Sequence, residues 1–213
     1  MTKPFVSIII PCYNEREYIR DTAMRVLDAF SEKEIEIVIV DDGSHDGSYD
    51  VLLELQKEEP RVRALKHEKN RGKGAAIRTG VAAANGDTIG FIDGDGEVDP
   101  QYLVEAVTIV RESDYVDIVI GNRYIIPNGY KTTSVRRLYS HVYRVMNWLL
   151  FSLPWKDTQA GLKAFRAAVA KTLFSASDIQ GYAFDIDILA HAHLVGLRVE
   201  ELPISQILKG QST

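Results

Sequence analysis

The stretch FIDGDGEVDP, residues 91–100, sets three acids at alternate positions, Asp93, Asp95 and Glu97, with glycines at 94 and 96. In extended chain alternate side chains share one side, and the missing Cβ of glycine permits the sharp backbone geometry that lets carboxylates converge. Converging carboxylates repel one another unless a cation sits between them. Hard oxygen donors of this kind suit Mg²⁺ or Mn²⁺, which keep several waters and also take phosphate oxygens. One reading is a metal site half made by the protein and completed by a phosphorylated ligand. The other is an acidic turn after a buried strand, and the rest of the chain decides between them.

The elements that must position these acids alternate along the chain. Apolar, β-branched runs at 5–10, 35–40, 62–65, 88–92 and 117–121 read as buried parallel strands. Between them lie helical stretches at 15–31 (with a stripe of Tyr18, Ile19, Thr22, Val26, Leu27 and Phe30), at 46–57 capped by Asp46, at 74–84 and at 102–110. A later helix runs from about 182 to 195, with Asp185 as its N-cap, and 199–208 reads as a last strand that Pro203 places at an edge or bulge. His191 and His193 are assigned no role. Alternation of this kind predicts an α/β fold with a mainly parallel sheet and helices on both faces, in one domain over 1–213.

Such sheets bind ligands at the carboxyl ends of their strands, and the polar residues gather there. The first strand ends in Pro11-Cys12-Tyr13-Asn14-Glu15, the second in Asp41-Asp42 and the fourth in Asp93-Gly94-Asp95. After the third comes Asn70-Arg71-Gly72-Lys73-Gly74, opening a helix whose free N–H groups, glycines and lysine suit a phosphate. It is not a Walker A loop, since G-x-x-x-x-G-K-[ST] is absent.

Charge is unevenly distributed. The chain carries −5 in total, yet between 122 and 163 seven cations (Arg123, Lys131, Arg136, Arg137, Arg144, Lys156, Lys163) face one acid, Asp157. That segment is +6 and the remainder −11, which points to an anionic partner for the segment. The single cysteine, Cys12, rules out a disulfide framework and fits a cytoplasmic setting. The opening residues turn polar too early for a secretory leader, and no run approaches eighteen apolar residues. The stretch 136–153 is basic at its start and aromatic-rich. It reads equally as a helix lying in a membrane interface or as a buried helix of the domain.

PCYNE (11–15), VDDGSHDGS (40–48), NRGKGAAIRTG (70–80), DGDGEVDP (93–100), GNR (121–123) and DTQAGLKAF (157–165) together resemble glycosyltransferase family 2, and in particular its dolichyl- or polyprenyl-phosphate sugar synthases. Six motifs keep their order and spacing over nearly the whole chain. The resemblance implies a GT-A nucleotide-sugar fold and a metal-dependent, inverting transfer of a hexose from GDP-mannose or UDP-glucose to a polyprenyl phosphate. By position it implies that Pro11, Tyr13, Glu15, Asp41 and Asp42 hold the base and ribose. Lys73, Gly94 and their loops would lie along the donor, and Asp93, Asp95 and Glu97 would meet Mg²⁺ or Mn²⁺. Arg123, Arg136 and Arg137 would take the lipid phosphate, and Asp157, with Asp95, would belong to the catalytic set. Many of the synthases carry Gln where this chain has Glu97.

A phosphomonoester, with a second pKa of roughly 6, is already ionised at pH 7 and needs cationic positioning more than a general base. Asp157 is therefore read as orienting the acceptor or an arginine, ahead of abstracting a proton. A polysaccharide or other hydroxyl acceptor is the alternative, and it would keep the donor half while changing the 122–163 region. A nucleotidyltransferase leaves the DTQAG block without a purpose, and a receiver domain would be shorter. The expected setting is the cytoplasmic face of a membrane, directly or through a membrane-embedded partner, with no nucleic acid involved.

Overall fold

The computed structural model describes residues 6–30, 35–126, 152–181 and 183–206. Their elements are β1 (Val6–Cys12), α1 (Ile19–Ala29), β2 (Ile35–Asp41), α2 (Ser48–Glu58), β3 (Val62–Lys66), α3 (Lys73–Ala83), β4 (Thr88–Ile92), α4 (Pro100–Glu112), β5 (Ile118–Asn122), β6 (Leu162–Arg166), α5 (Ala167–Ala176), α6 (Phe184–Leu194) and β7 (Val199–Pro203). One sheet of order β3-β2-β1-β4-β6-β5-β7 runs through them.

Strands β1, β2, β4 and β5 are buried along their whole length, which is why each reads as an unbroken apolar run rather than an alternation. Ile8 and Ile10 of β1 pack with Ala23, Val26, Leu52, Leu55, Leu103 and Val107 on one face. Ile9 packs with Ala76, Ile77, Leu173 and Leu189 on the other. Helices α1, α2 and α4 thus cover one side of the sheet and α3, α5 and α6 the other. Each isoleucine so enclosed contributes about 1.5–3 kcal/mol of transfer free energy. At α4 the sequence supplies its own start: Asp99 accepts a hydrogen bond from the Gln101 N–H at 2.9 Å, and Pro100 occupies the first turn.

The main departure from expectation lies in the middle of the sheet. β6 is inserted antiparallel between β4 and β5, although no strand was expected over 162–166. Its sequence, LKAFR, carries a lysine at a buried position, so it lacks the apolar run that marks the other inner strands. β7 closes at Pro203 rather than at 208, and it is the edge strand that a proline there favours. The stretch 136–153 lies outside the described residues except for its last two positions. No helix among the described residues is long and apolar enough to cross a membrane.

At the amino end of the sheet a polar cluster ties three strands together. Glu36 accepts from Ser7 Oγ at 2.6 Å, from the Asn85 N–H at 2.6 Å, and from Asn85 Nδ2 and Arg63 Nη1, both at 3.1 Å. Burial alone would raise the Glu36 carboxyl, but the hydrogen bonds from Ser7, Asn85 and Arg63 together hold it below its ordinary value. A depressed carboxyl stabilises the fold above its unfolded pKa, and that stabilisation is lost as pH falls through the folded pKa. Glu36→Gln is therefore expected to cost roughly 1–3 kcal/mol in urea denaturation at pH 7. The difference from wild type should narrow as pH falls below the ordinary glutamate range and through the depressed folded pKa, where the Glu36 carboxyl becomes neutral.

Candidate active site

The carboxyl ends of β1, β2 and β4 meet the start of α3, and two loops are stitched together before any functional side chain is placed. Asn14, at φ 55°, accepts from the His45 N–H at 3.0 Å, and its own N–H donates to Ser44 Oγ at 2.9 Å. The Glu15 N–H donates to Ser48 Oγ at 3.0 Å and the Arg16 N–H to Asp46 Oδ2 at 3.0 Å. Asp46 also takes the Ser48 N–H at 2.9 Å. The loop after β1 is thereby fixed on the start of α2, with Pro11 buried in its strand and Tyr13 43% exposed at the rim. Cys12, between them, has its thiol pushed up to about 12 by burial and by the neighbouring Glu15 and Asp41, so it is chemically inert.

The two acids ending β2 and the loop after it have different surroundings. Asp42 is saturated: Oδ1 accepts from the Arg71 N–H at 2.9 Å and lies 2.6 Å from His67 Nδ1, while Oδ2 accepts from the Gly72 N–H at 2.7 Å. His67 Nε2 in turn lies 2.9 Å from Thr79 Oγ1 on α3. Asp42 therefore builds the loop that presents Lys73 and has little left for a ligand. Asp41 is fully buried, and only its Oδ2 is engaged, by the Ser44 N–H at 3.3 Å. Its Oδ1 has no partner among the described residues. A buried orphan acceptor costs about 1–3 kcal/mol, more when charged, and points to an N–H donor brought by a ligand.

The start of α3 differs from expectation in one respect. The N–H groups leading into it, those of Arg71 and Gly72, go to Asp42, and within its first turn that of Ala75 donates to Gln180 O at 3.2 Å. What the helix offers is the Lys73 side chain. Its Nζ lies 2.5 Å from Asp93 Oδ1, an ion pair rather than an aligned hydrogen bond. Burial works against the Lys73 charge, but Asp93, Asp185 and Asp95 outweigh it and hold the ammonium above its ordinary value.

The acidic turn after β4 is held from beneath by α1, where Thr22 Oγ1 donates to Gly94 O at 2.9 Å and Arg25 Nη1 to Gly96 O at 3.2 Å. Gly94 is required by close approach: a Cβ there would lie 2.1 Å from Glu15 Oε2 and 2.9 Å from Pro11 O. Gly161 of the DTQAG motif is required on the other side, since its Cβ would lie 2.2 Å from Asp93 Oδ2. The Asp93 N–H donates to Gly161 O at 3.0 Å. Asp95 accepts from the Glu97 N–H at 2.9 Å. Its carboxyl is raised by burial first and then by Asp93 and Glu97, against the pull of Lys73.

Glu97 does not join them. Its carboxylate is bound by Gln206 Nε2, and no group of three His, Cys, Asp or Glu side chains among the described residues is placed to hold a metal ion. The expected triad of Asp93, Asp95 and Glu97 is therefore not assembled. Asp93 and Asp95 remain, two hard oxygen donors whose mutual repulsion a divalent cation would relieve. This fits Mg²⁺ or Mn²⁺, which are often bound by one or two carboxylates together with ligand phosphates.

On the far side, Asp157 is 3% exposed and grips Arg123 with both oxygens. Oδ2 accepts from Nε at 2.7 Å and from the Arg123 N–H at 3.0 Å, and Oδ1 accepts from Nη2 at 2.8 Å. Lys163 and Asp185 also change role. Lys163 Nζ donates to Asp185 Oδ1 at 2.6 Å and to Ala160 O at 3.0 Å, wholly buried beneath the site. Asp185 is thus an ion-pair partner rather than a helix cap, and burial drives its carboxyl up despite Lys163 and Lys73. Of the seven cations in 122–163, Arg123 is tied to Asp157 and Lys163 to Asp185, whereas Lys156 is exposed. Lys131, Arg136, Arg137 and Arg144 lie outside the described residues.

Thr22, Arg25, His67, Gly161, Lys163 and Gln206 were not singled out from the sequence for the roles they have here. The glycosyl transferase family 2 model matches residues 7–174, and the chain belongs to that family. It is 31% identical over 210 residues to a dolichyl-phosphate beta-glucosyltransferase of Trichomonas vaginalis, covering 94% of this chain and 65% of the relative. It is also 31% identical over 221 residues to a dolichyl-phosphate beta-glucosyltransferase of Saccharomyces cerevisiae, covering 94% and 66%. The chain thus spans just under two thirds of the length of these relatives. A glucosyl-3-phosphoglycerate synthase from Mycobacterium tuberculosis, solved with Mg²⁺ and uridine diphosphate, superposes with a TM-score of 0.73 at 18% identity, over 98% of this chain and 72% of that one. The fold is GT-A.

A carboxyl raised above its unfolded pKa weakens the fold as pH rises through that interval. Asp95→Asn is accordingly expected to raise the thermal unfolding midpoint at pH 8 without divalent cations, and to lose that advantage as pH falls towards 4. Scanning calorimetry of both proteins at the two pH values measures this.

Proposed function

We propose that the protein transfers a hexose, glucose in the first instance, from a nucleoside diphosphate sugar to a polyprenyl or dolichyl phosphate, with inversion at the anomeric carbon. The observation that carries the acceptor side is the Arg123–Asp157 pair. A hydroxyl acceptor would call for a carboxylate free to take a proton. Asp157 instead has both oxygens on Arg123, at 2.7 and 2.8 Å, with the backbone N–H added at 3.0 Å. An arginine oriented in this way suits a phosphate, whose oxygens are already ionised at neutral pH. The names of the relatives, dolichyl-phosphate beta-glucosyltransferases, support the same acceptor and sugar.

On the donor side Asp41 is assigned to the base, because its buried Oδ1 awaits an N–H donor. Tyr13 supplies a flat apolar surface at the rim, and Pro11 and Glu15 complete that wall. Asp42 shapes the 71–72 loop. Lys73, released from Asp93, would meet the diphosphate oxygens. Asp93 and Asp95 would hold Mg²⁺ or Mn²⁺, which when bound takes up the charge that develops on the departing diphosphate. The acceptor oxygen then attacks the anomeric carbon from the opposite side, the bond to the diphosphate breaks, and no protein group need accept a proton. Arg136 and Arg137 are assigned to the acceptor phosphate with Arg123 on the family resemblance. A lipid acceptor places the reaction at a membrane surface, which we assign to the cytoplasmic face.

The test mixes purified protein with Mn²⁺ or Mg²⁺, radiolabelled UDP-glucose or GDP-mannose, and a polyprenyl phosphate, and reads label in the lipid extract. Label is expected from UDP-glucose, with a fall of about 10²-fold or more in Asp95→Ala and in Arg123→Ala, and a loss in Arg137→Ala. Nucleotide-sugar binding without lipid product would move the acceptor to a saccharide hydroxyl, and absence of any nucleotide-sugar binding would overturn the whole proposal.

A further inference from the structure

The segment that follows β7 crosses the site, and each of its three residues is anchored to a different element. The Ile204 N–H donates to Asn122 O at 3.1 Å, and its side chain lies on Gly121, where a Cβ would come within 2.6 Å of Ile204 Cδ1. Ser205 Oγ lies 2.9 Å from Tyr102 Oη on α4. Gln206 forms an antiparallel bridge with Val98, immediately after the acidic turn. With its backbone fixed at that point, the Gln206 side-chain amide reaches both halves of the site. Its Oε1 accepts from Arg123 Nη1 at 3.1 Å, and its Nε2 donates to the Glu97 carboxylate.

The geometry points to Gln206 as a positioning residue that links the acceptor-side arginine to the donor-side acidic turn and holds Glu97 away from the metal ligands. An amide suits this place because, without carrying charge, its oxygen accepts from the guanidinium while its nitrogen donates to the carboxylate. The resulting chain runs Asp157, Arg123, Gln206, Glu97, and continues through the Glu97 N–H to Asp95. Arg123 thus has Asp157 setting one edge of its guanidinium and Gln206 setting another. Networks of this kind are coupled, so cutting one member disturbs the aim of the others. The acceptor half of the inference rests on the proposed transfer to a lipid phosphate. The metal half rests on Glu97 alone and can be measured without an acceptor.

Two measurements test it. In the first, Mn²⁺ is titrated by electron paramagnetic resonance into full-length protein saturated with UDP. Glu97→Gln is expected to bind Mn²⁺ within about 3-fold of wild type, while Asp95→Asn loses at least 30-fold. A loss in Glu97→Gln as large as that in Asp95→Asn would make Glu97 a ligand and overturn the inference. In the second, Gln206→Leu is expected to lower kcat/KM for polyprenyl phosphate at least 10-fold, with UDP affinity measured without Mn²⁺ within about 3-fold of wild type and Mn²⁺ binding altered because Glu97 is freed. The exchanged pair Gln206→Glu with Glu97→Gln, which keeps an acceptor for Arg123 at 206 and reverses the hydrogen bond between 206 and 97, is expected to recover most of that loss. Unchanged transfer in Gln206→Leu, or no recovery in the exchanged pair, would overturn the link. A wild-type protein that makes no lipid product but binds Mn²⁺ and UDP would count against the proposed acceptor, and the first measurement then decides on Glu97 by itself.

Discussion

Like charges forced together in the turn after β4 are the constraint on which the rest of the site depends. Asp93 and Asp95 are placed by a buried β-strand and by glycines that admit no Cβ, which limits how far they can drift apart to relieve their repulsion. Within the protein the answer is a row of alternating charge, with Asp95 and Asp93 against Lys73, and Lys73 in the field of Asp185, which is in turn paired with Lys163. The lower pair lies wholly out of water. Such a pair is weak evidence for stability, because desolvation offsets most of the attraction, yet removing one member would leave the other buried and uncompensated. Its position directly behind the site gives Lys73 a negative neighbour on each side.

Much of the chain's remaining detail serves to fix the distance between this acidic cluster and Arg123. The DTQAG segment touches both, with Asp157 gripping the arginine and the Gly161 carbonyl receiving the Asp93 N–H. Because β6 begins immediately after it and lies beside β4, the same strand pairing that builds the sheet sets the register between Asp93 and Gly161. Fold and site are thus joined at one residue, and a slip in β6 would displace both.

The parallel part of the sheet was legible in the sequence because doubly buried strands have no polar alternation, and the loops at their carboxyl ends followed from the architecture. β6 was not legible: a five-residue strand with a buried lysine is recognisable only once Asp185, 22 residues further on, is known to meet it. Asp41 and Asp42 could not be told apart for a similar reason. They differ only in what approaches them, and the groups that saturate Asp42 come from Arg71 and Gly72, which sequence spacing alone does not bring to it. Charge counting over 122–163 entered Arg123 and Lys163 as uncompensated cations, whereas each has an internal carboxylate, and Lys163 is wholly buried. Glu97 was grouped with Asp93 and Asp95 by alternate spacing, and a glutamine more than a hundred positions away redirects it.

The central claim is that the protein supplies two carboxylates and a lysine, and that a divalent cation and a diphosphate complete the site together. Calorimetric titration of UDP into the metal-free protein, repeated with saturating Mn²⁺, tests it directly. The account predicts at least 10-fold tighter UDP binding with Mn²⁺ present, abolished in the Asp93→Asn, Asp95→Asn double variant. UDP binding that is equally tight with and without Mn²⁺, and unaffected by removing both carboxylates, would contradict it.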